Sequence, residues 1–258
     1  MRLGIRVDEQ QVLPELLERL PPGWRPAASP NADRVYSVIA GGEGDRPGVR
    51  RLSLLYANAA QIGRSRELED VLNVFEFYSQ IHVAELAPRR IFVHAGAVAW
   101  GDRAILLPGS SLSGKTTLTA ELVRAGATYY SDEYAVLDSR GRVHPFPRPL
   151  SIRENGSRKG QPTPVGAFGG VAAVGPVPVG LVVASEYEPG SRWHPRPVSA
   201  GEGVLTLLAH AVSARRHPAR VLATLERVAA RAPVFRGRRG EAAEAAAEIL
   251  ARLEALPS

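Results

Sequence analysis

The sequence predicts an α/β fold in which a mixed β-sheet is joined to a helix-rich C-terminal region. A β-hairpin pattern over residues 91–108 leads directly into a Gly-rich turn and a helix. A second hairpin pattern follows over residues 134–146, and three amphipathic helical patterns lie within residues 203–256. Hairpins beside a strand–turn–helix unit indicate that neighbouring strands run in both directions.

Composition excludes several classes of protein. The chain has 258 residues, 45% of them apolar and 22% charged, which is ordinary for a globular protein with a substantial core. No stretch reaches the roughly 18 apolar residues of a membrane span, and the N-terminus does not resemble a signal peptide. The chain has no cysteine, which rules out disulfides and thiol chemistry and agrees with a cytoplasmic location. The net charge of +6 comes from scattered arginines without interleaved aromatics, so we expect no nucleic-acid partner.

Residues 1–90 predict an N-terminal α+β region that packs on the core and binds the substrate or a partner. Strand patterns cover residues 2–7, 34–40 and 49–56, and a weak helix covers residues 11–20 with Pro14 in its first turn. A stronger helix covers residues 67–87, where Ser65 is the expected cap, Pro88 ends the helix and His82 is the expected core histidine.

The most informative motif stands at the start of the second region, residues 91–258. An apolar strand over residues 103–108 runs into Gly-x-x-x-x-Gly-Lys-Thr, and a helix over residues 115–125 follows. This is the context of a phosphate-binding P-loop, in which backbone amides and the helix N-terminus bind a polyphosphate. The expected binding residues are Gly109, Ser110, Ser111, Leu112, Ser113, Gly114, Lys115, Thr116 and Thr117. In such a loop Lys115 reaches the β and γ phosphates, and the Thr116 hydroxyl binds Mg²⁺.

An acidic pair follows the next strand pattern. Residues 127–131 predict a strand that returns beside the one feeding the P-loop, and Asp132 and Glu133 stand at its end. Neighbouring residues on a strand point to opposite faces, but both carboxylates can turn toward the loop if the strand ends at Ser131. One of the two would then bind Mg²⁺ while the other accepts a proton.

The remaining segments carry fewer signals. Residues 147–180 are rich in Gly and Pro and predict an irregular loop, either a mobile lid or a disordered segment, with a basic cluster at Arg153, Arg158 and Lys159. A strand is expected near residues 179–185, and helices over residues 203–213, 218–231 and 241–256 complete the chain. On residue type alone, His94 is a structural strand histidine and Arg153 a solvated loop arginine.

Three segments together resemble the catalytic domain of bacterial HPr kinase/phosphorylase: His94–Trp100, the P-loop, and Gly126–Glu133. The resemblance covers about residues 91–150 and is closest to stand-alone HPr-kinase-like proteins, such as kinases of lasso-peptide precursors. It implies the fold that this family shares with ATP-type phosphoenolpyruvate carboxykinases, a P-loop on a mixed sheet entered through hairpins.

The resemblance also implies roles for individual residues. Asp132 would be the acid/base for a serine hydroxyl, His94 its positioning partner, and Thr116 and Glu133 the magnesium ligands. Arg153 would contact phosphate or substrate, and the hexameric assembly of the family makes a homo-oligomer an open option.

The sequence therefore predicts an ATP- and Mg²⁺-dependent kinase that acts on a serine of a peptide or small protein. Two alternatives stay open. One is a kinase of small-molecule alcohols, and the other is a nucleotide-gated binding or regulatory module, which would need a magnesium site but no proton acceptor.

Overall fold

The computed structural model describes residues 1–43, 50–110, 113–152 and 160–257. The chain is of the mixed α/β type and divides into two compact units, Met1–Pro88 and Arg89–Ser258. Among the helices of the described residues, none has both the length and the apolar composition that crossing a membrane would require.

The first unit is a four-stranded sheet with one long helix. Its elements are β1 (Leu3–Val7), α1 (Leu13–Glu18), β2 (Arg34–Ile39), β3 (Gly42–Glu43), β4 (Arg50–Arg51), β5 (Ser53–Ala57), β6 (Ala60–Ser65) and α2 (Leu68–Leu86). The strand order is β1-β2-β5-β6, and only β1 and β2 are parallel. The strands predicted over 2–7 and 34–40 and both helices are confirmed, whereas β6 was not predicted.

Helix α2 forms one side of the core of this unit. Its residues Val71 and Phe75 are fully buried, and the Phe75 ring meets the buried Tyr36 ring edge-on at 5.1 Å. The predicted core histidine is confirmed, because His82 Nδ1 is hydrogen-bonded to the Tyr36 hydroxyl. The predicted cap is wrong: the N-cap is Glu67, and the Ser65 hydroxyl instead accepts a hydrogen bond from the Glu67 amide at 3.2 Å.

The second unit is built on a larger mixed sheet. Its elements are β7 (Ile91–Trp100), β8 (Arg103–Pro108), α3 (Lys115–Arg124), β9 (Thr128–Ser131), β10 (Tyr134–Leu137), β11 (Arg142–His144), β12 (Leu150–Ile152), β13 (Gln161–Thr163), β14 (Val177–Tyr187), β15 (Arg196–Val198), α4 (Ala200–Leu208), α5 (Pro218–Ala229), β16 (Val234–Arg239) and α6 (Ala242–Glu254). The strand order is β11-β10-β7-β8-β14-β16-β15, and β9 pairs with β7 beside β10. Strand β14 runs parallel to β8 and β16, and the other pairs of this sheet are antiparallel.

Apolar side chains cover both faces of this sheet. One buried cluster joins α3 and α6 to the sheet through residues such as Leu118, Val98 and Ile249. The other joins α4 and α5 to the opposite face through residues such as Leu207 and Leu225. Because the sheet is covered on both sides, strands β7 and β8 are almost continuously apolar in sequence.

Two sequence predictions for this unit are wrong. The chain after residue 185 is not wholly helical, because β15 and β16 extend the sheet there. The described part of residues 147–180 is not irregular throughout: β12 pairs with β13, Leu150 is fully buried, and a short 3₁₀ helix covers Val165–Phe168. The basic cluster Arg153, Arg158 and Lys159 lies outside the described residues.

Candidate active site

The β7–β8 hairpin delivers the chain to the Gly-rich loop. Gly101 turns the hairpin with a φ of +62°, and pairing runs from Trp100 opposite Arg103 to Ala95 opposite Pro108. The two strands have the bounds predicted from the sequence. Strand β8 therefore ends at Pro108, midway along β7, and the Gly109 loop begins there.

Glycines allow the loop and helix α3 to approach the sheet closely. Gly114 precedes α3 with a φ of +83°, a conformation that L-residues with a side chain rarely adopt, and its carbonyl accepts the first helical bond from Leu118 at 3.1 Å. A Cβ on Gly109 would lie 2.7 Å from Ser113 Oγ. A Cβ on Gly96 of β7 would lie 2.5 Å from the Thr119 hydroxyl of α3, so Gly96 lets the helix pack onto the sheet.

Lys115 folds back over the loop that precedes it. Its ammonium donates hydrogen bonds to the Gly109 carbonyl at 2.9 Å and to the Ser110 carbonyl at 2.7 Å. Burial lowers the pKa of Lys115, and Asp132 and Glu133 oppose that shift. The ammonium is therefore held above the loop with two carboxylates close enough to act on it.

The acidic pair lies in the gap between β9 and β10. Strand β9 ends at Ser131, as the prediction required, and the Ser131 hydroxyl accepts hydrogen bonds from the Glu133 and Tyr134 amides at 3.3 and 3.1 Å. The Glu133 carbonyl accepts a hydrogen bond from the Ala95 amide at 3.1 Å. Ala95 also pairs with Pro108 in the strand register. The acidic turn and the Gly-rich loop therefore lie on either side of the same residue of β7.

The expected position of β9 needs one correction. It does not lie beside β8; β7 separates the two strands, and the other neighbour of β8 is β14. Both β8 and β9 run antiparallel to β7, so they are parallel to each other and end at the same part of it. The pair therefore reaches the loop even though the strand order differs from the prediction.

The Asp132 carboxyl has an unusually high pKa and an unpartnered oxygen in the described structure. Burial raises its pKa to about 7, while the Thr116 side chain, Lys115 and the Ser151 backbone act in the opposite direction. Its Oδ1 atom is buried and has no hydrogen-bond partner among the described residues. Burial also raises the pKa of Glu133, and Lys115 opposes it. A carboxyl with a pKa near 7 can accept or release a proton at neutral pH.

His94 lies on β7, at the position that pairs with Tyr134 of β10. Burial lowers its pKa to about 4, helped by Lys115 and His210 and opposed by a hydrogen bond with the Gly109 backbone. The imidazole is therefore neutral at pH 7. In the described part of the chain no hydrogen bond joins His94 to Asp132, so the structure places the ring beside the loop and Lys115 rather than in a pair with the carboxylate.

The oxygen atoms near the loop fit a magnesium ion. No group of three or more His, Cys, Asp or Glu side chains suited to a metal occurs within the described residues. Mg²⁺ commonly uses only one or two carboxylates and takes its other ligands from water and substrate phosphates. The Thr116 hydroxyl and the Glu133 carboxylate, which both lie near Lys115 and Asp132, supply that kind of ligand set.

The other predicted binding residues fall into two groups. Ser110, Ser113 and Thr117 are in the loop and the first turn of α3; the Ser113 amide donates to the Ser110 carbonyl at 3.3 Å, and Ser113 Oγ is buried without a partner in the described structure. Ser111, Leu112 and Arg153 lie outside the described residues.

Arg239 was missed by the sequence analysis. Its side chain is 2% exposed, donates from Nη2 to the Gly114 carbonyl at 2.7 Å and from Nη1 to the Gly240 carbonyl at 2.9 Å. Burial lowers its pKa, and Glu241 opposes the shift. A buried guanidinium at the N-terminus of α3 adds to the positive end of the helix dipole, which favours an anion over the loop.

His210 was also missed. The segment after α4 runs beside the first half of β7, which β8 does not reach. The His94 amide donates to the His210 carbonyl at 2.8 Å, and the Val212 amide donates to the Phe92 carbonyl at 2.9 Å. Burial lowers the pKa of His210, and Lys115 lowers it further. A second neutral imidazole therefore stands near the ammonium of Lys115.

Comparisons of this chain with protein-family models, with curated proteins and with solved structures found no match.

Proposed function

We propose that this protein is an ATP- and Mg²⁺-dependent kinase that transfers the γ-phosphoryl group to a hydroxyl, that of a serine in a peptide or small protein. The observation that carries the proposal is the position of the Asp132 carboxyl. It is buried, has a pKa of about 7 and a free Oδ1 atom, and lies by Lys115 and Thr116 at the start of α3. A loop that only bound and released a nucleotide would need no such proton acceptor.

The loop provides the binding site for the polyphosphate. Backbone amides between Gly109 and Thr116, the dipole of α3 and the buried Arg239 all favour negative charge at this position. Two backbone carbonyls already hold Lys115 over the loop. When a phosphate binds, Lys115 would donate to its charged oxygens instead, which are stronger acceptors. Thr116 and Glu133 would hold Mg²⁺, which neutralises charge on the phosphate oxygens when it is bound.

Asp132 performs the proton chemistry in this proposal. Its carboxylate accepts the proton of the acceptor hydroxyl as the new oxygen–phosphorus bond forms and the bond between the β and γ phosphates breaks. A pKa of about 7 suits that role, because the group is substantially ionised at neutral pH and still basic enough to take the proton. His94, neutral at pH 7, acts on the loop through its contact with the Gly109 backbone.

Two features of the fold support a P-loop domain of the HPr kinase and phosphoenolpyruvate carboxykinase type. The loop is entered from an antiparallel hairpin, and an acidic pair follows one helix and one strand later. The resemblance of residues 91–150 implies both features.

The proposal is tested by measuring ATP-dependent phosphorylation and ATP binding on the same variants. Lys115→Ala should abolish both, whereas Arg231→Ala, an exposed position beyond the end of α5, should leave both unchanged. Asp132→Asn should leave binding of a fluorescent ATP analogue within about threefold while phosphorylation falls by roughly 10²–10⁴-fold, the contribution typical of a general base. Asp102→Asn, in the exposed hairpin turn, is the matched control.

Each alternative predicts a different result. Full phosphorylation by Asp132→Asn would refute the assignment of the base. Release of ADP with alcohols but not with serine peptides would indicate a small-molecule kinase. Tight ATP binding without a phosphorylated product of either kind would indicate a nucleotide-gated module.

A further inference from the structure

A cavity of about 730 Å³ opens beside the P-loop within the second unit. Gly109 and Ser110 of the loop form one end, α4 forms one side, and the ends of β14 and β16 form the other. This volume is within the range of sites that enclose small ligands or short peptide segments. Apart from the loop residues and His210, the residues that line it have no role in the site described above.

The cavity reaches the loop at the end where Lys115 lies. Gly109 and Ser110, which line it, are the residues whose carbonyls hold the Lys115 ammonium. His210 also lines the cavity and is close enough to Lys115 for their charges to interact. Lys115 and Asp132 do not themselves line it, and neither do Thr116 and Thr117. A molecule in the cavity would therefore approach the phosphate bound by Lys115.

Two arginines in the cavity wall interact with Glu202, which also lines the cavity, through charge alone. Arg196 of β15 and Arg236 of β16 stand directly opposite each other in the strand register, and both line the cavity. Neither makes a hydrogen bond or an ion pair in the described part of the chain, unlike Arg238, which donates to Glu188 at 2.7 Å. Like charges directly opposite on neighbouring strands repel each other, so an anion between them would relieve the repulsion.

Glu202, whose charge interacts with both arginines, makes its hydrogen bonds in a helix cap. Glu202 Oε2 accepts hydrogen bonds from the Ser199 amide and hydroxyl, both at 2.9 Å, in the capping box of α4. Leu205, one turn further along α4, also lines the cavity and is 64% exposed. Besides the carboxylates of Glu186 and Glu202, the wall thus offers two guanidinium groups without an ion pair in the described structure, and an apolar side chain.

We infer that this cavity binds the phosphate acceptor, a serine-containing peptide segment with a carboxylate close to the serine. The carboxylate lies between Arg196 and Arg236, and a neighbouring apolar side chain lies on Leu205. This inference rests on the proposed function, since it assigns the acceptor side of the same reaction. The carboxylate is that of an aspartate or glutamate side chain or that of the peptide's own C-terminus.

The test uses the full chain with ATP, Mg²⁺ and a degenerate library of serine peptides. Each position near the serine is fixed in turn as glutamate, glutamine, lysine or leucine, and each peptide is made with a free or an amidated C-terminus. The wild type should phosphorylate glutamate peptides roughly tenfold better than glutamine peptides at one or more positions, the factor that one well-formed charged contact provides. A preference confined to free C-termini would assign the terminal carboxylate instead.

The variants separate this inference from the proposed function. Arg236→Gln and Arg196→Gln should remove the acidic preference, and Arg236→Glu should invert it toward lysine, while binding of a fluorescent ATP analogue stays unchanged. Arg231→Gln, an exposed arginine beyond the end of α5, is the control.

Three results would overturn the inference. Phosphorylation without an acidic preference, or with one that survives Arg236→Glu, refutes the cavity assignment alone. A tenfold loss of ATP binding in Arg236→Gln would assign the cavity to the nucleotide. No phosphorylation of any peptide by the wild type refutes peptide phosphorylation itself, and the cavity assignment with it.

Discussion

Replacing Asp132 by asparagine should make the protein more stable while it removes activity. The pKa of this carboxyl rises from 3.8 to about 7 in the folded chain because the group is buried. The folded state therefore binds the proton more tightly than the unfolded state. As the pH rises from about 4 to about 7, the unfolded chain ionises first and the wild type loses stability.

The size of this loss follows from the same shift. Each pH unit of pKa difference corresponds to about 1.36 kcal/mol, so a rise of about three units sets a ceiling of roughly 4 kcal/mol above pH 7. Asparagine has nearly the same shape but no charge, so it avoids this cost. For a chain of this size, 1 kcal/mol moves the melting temperature by about 2–4 °C. We expect Asp132→Asn to melt several degrees above the wild type at pH 8.

The assay is thermal unfolding of the nucleotide-free protein between pH 4 and pH 8. The gap between Asp132→Asn and the wild type should be small at pH 4 and widen as the pH rises to 7. Asp102→Asn, in the exposed hairpin turn, should follow the wild type throughout. A variant that melts below the wild type at pH 8, or a gap independent of pH, would show that the carboxyl is not held in a destabilising position.

Three further predictions concern residues around the site and the sheet. Gly96→Ala should destabilise the protein by about 1–3 kcal/mol in urea unfolding, because its Cβ would lie 2.5 Å from the Thr119 hydroxyl; adding Thr119→Ala should recover part of the loss. Arg239→Met should weaken binding of a fluorescent ATP analogue roughly tenfold, because it removes a buried cation beside the N-terminus of α3. Asp138→Asn should cost about 2 kcal/mol at pH 7 in urea unfolding. Burial raises the pKa of Asp138, but hydrogen bonds from His144, Arg142 and Arg140 outweigh burial and hold the pKa well below its usual range. The stability deficit of the variant should therefore shrink as the pH falls below about 4.

Each of these predictions has a control and a contradicting result. Gly42→Ala should be nearly neutral, since a Cβ there meets no atom of the described residues within 4 Å; an equal loss in both glycine variants would refute the packing argument. Arg231→Met should bind the ATP analogue like the wild type, and unchanged binding by Arg239→Met would remove Arg239 from the site. A deficit in Asp138→Asn that stays constant down to pH 3 would contradict the role given to the ionised carboxylate.

The sequence predicted the elements whose signals are local. The β7–β8 hairpin has the predicted bounds because two long apolar runs flank a tight turn at Gly101, and the turn sets the register. Helix α3 begins at Lys115 and is followed by Gly126, whose φ of +104° fits the predicted helix stop. The proximity of Lys115, Thr116 and the acidic pair was expected for the same reason, because the spacing of a motif is a local signal.

The features that the sequence did not predict depend on distant parts of the chain. Arg239 reaches Gly114 across 125 positions, and nothing in the run Arg236–Gly240 marks one of its arginines as buried. Strand β16 was missed because only its first two residues, Val234 and Phe235, are apolar, and three arginines and a glycine follow them. No apolar alternation marks it as a strand. The position of β9 beside β7 rather than β8 is a choice of strand order, which short-range patterns do not specify.

The most direct test of the account is a crystal structure of the protein with Mg²⁺ and a non-hydrolysable ATP analogue. The β and γ phosphates should lie over the Gly109–Thr116 loop, with Lys115 Nζ moved from the loop carbonyls to phosphate oxygens and the Asp132 carboxyl facing the terminal phosphorus. A nucleotide bound elsewhere, or a terminal phosphate directed away from Asp132, would contradict the account.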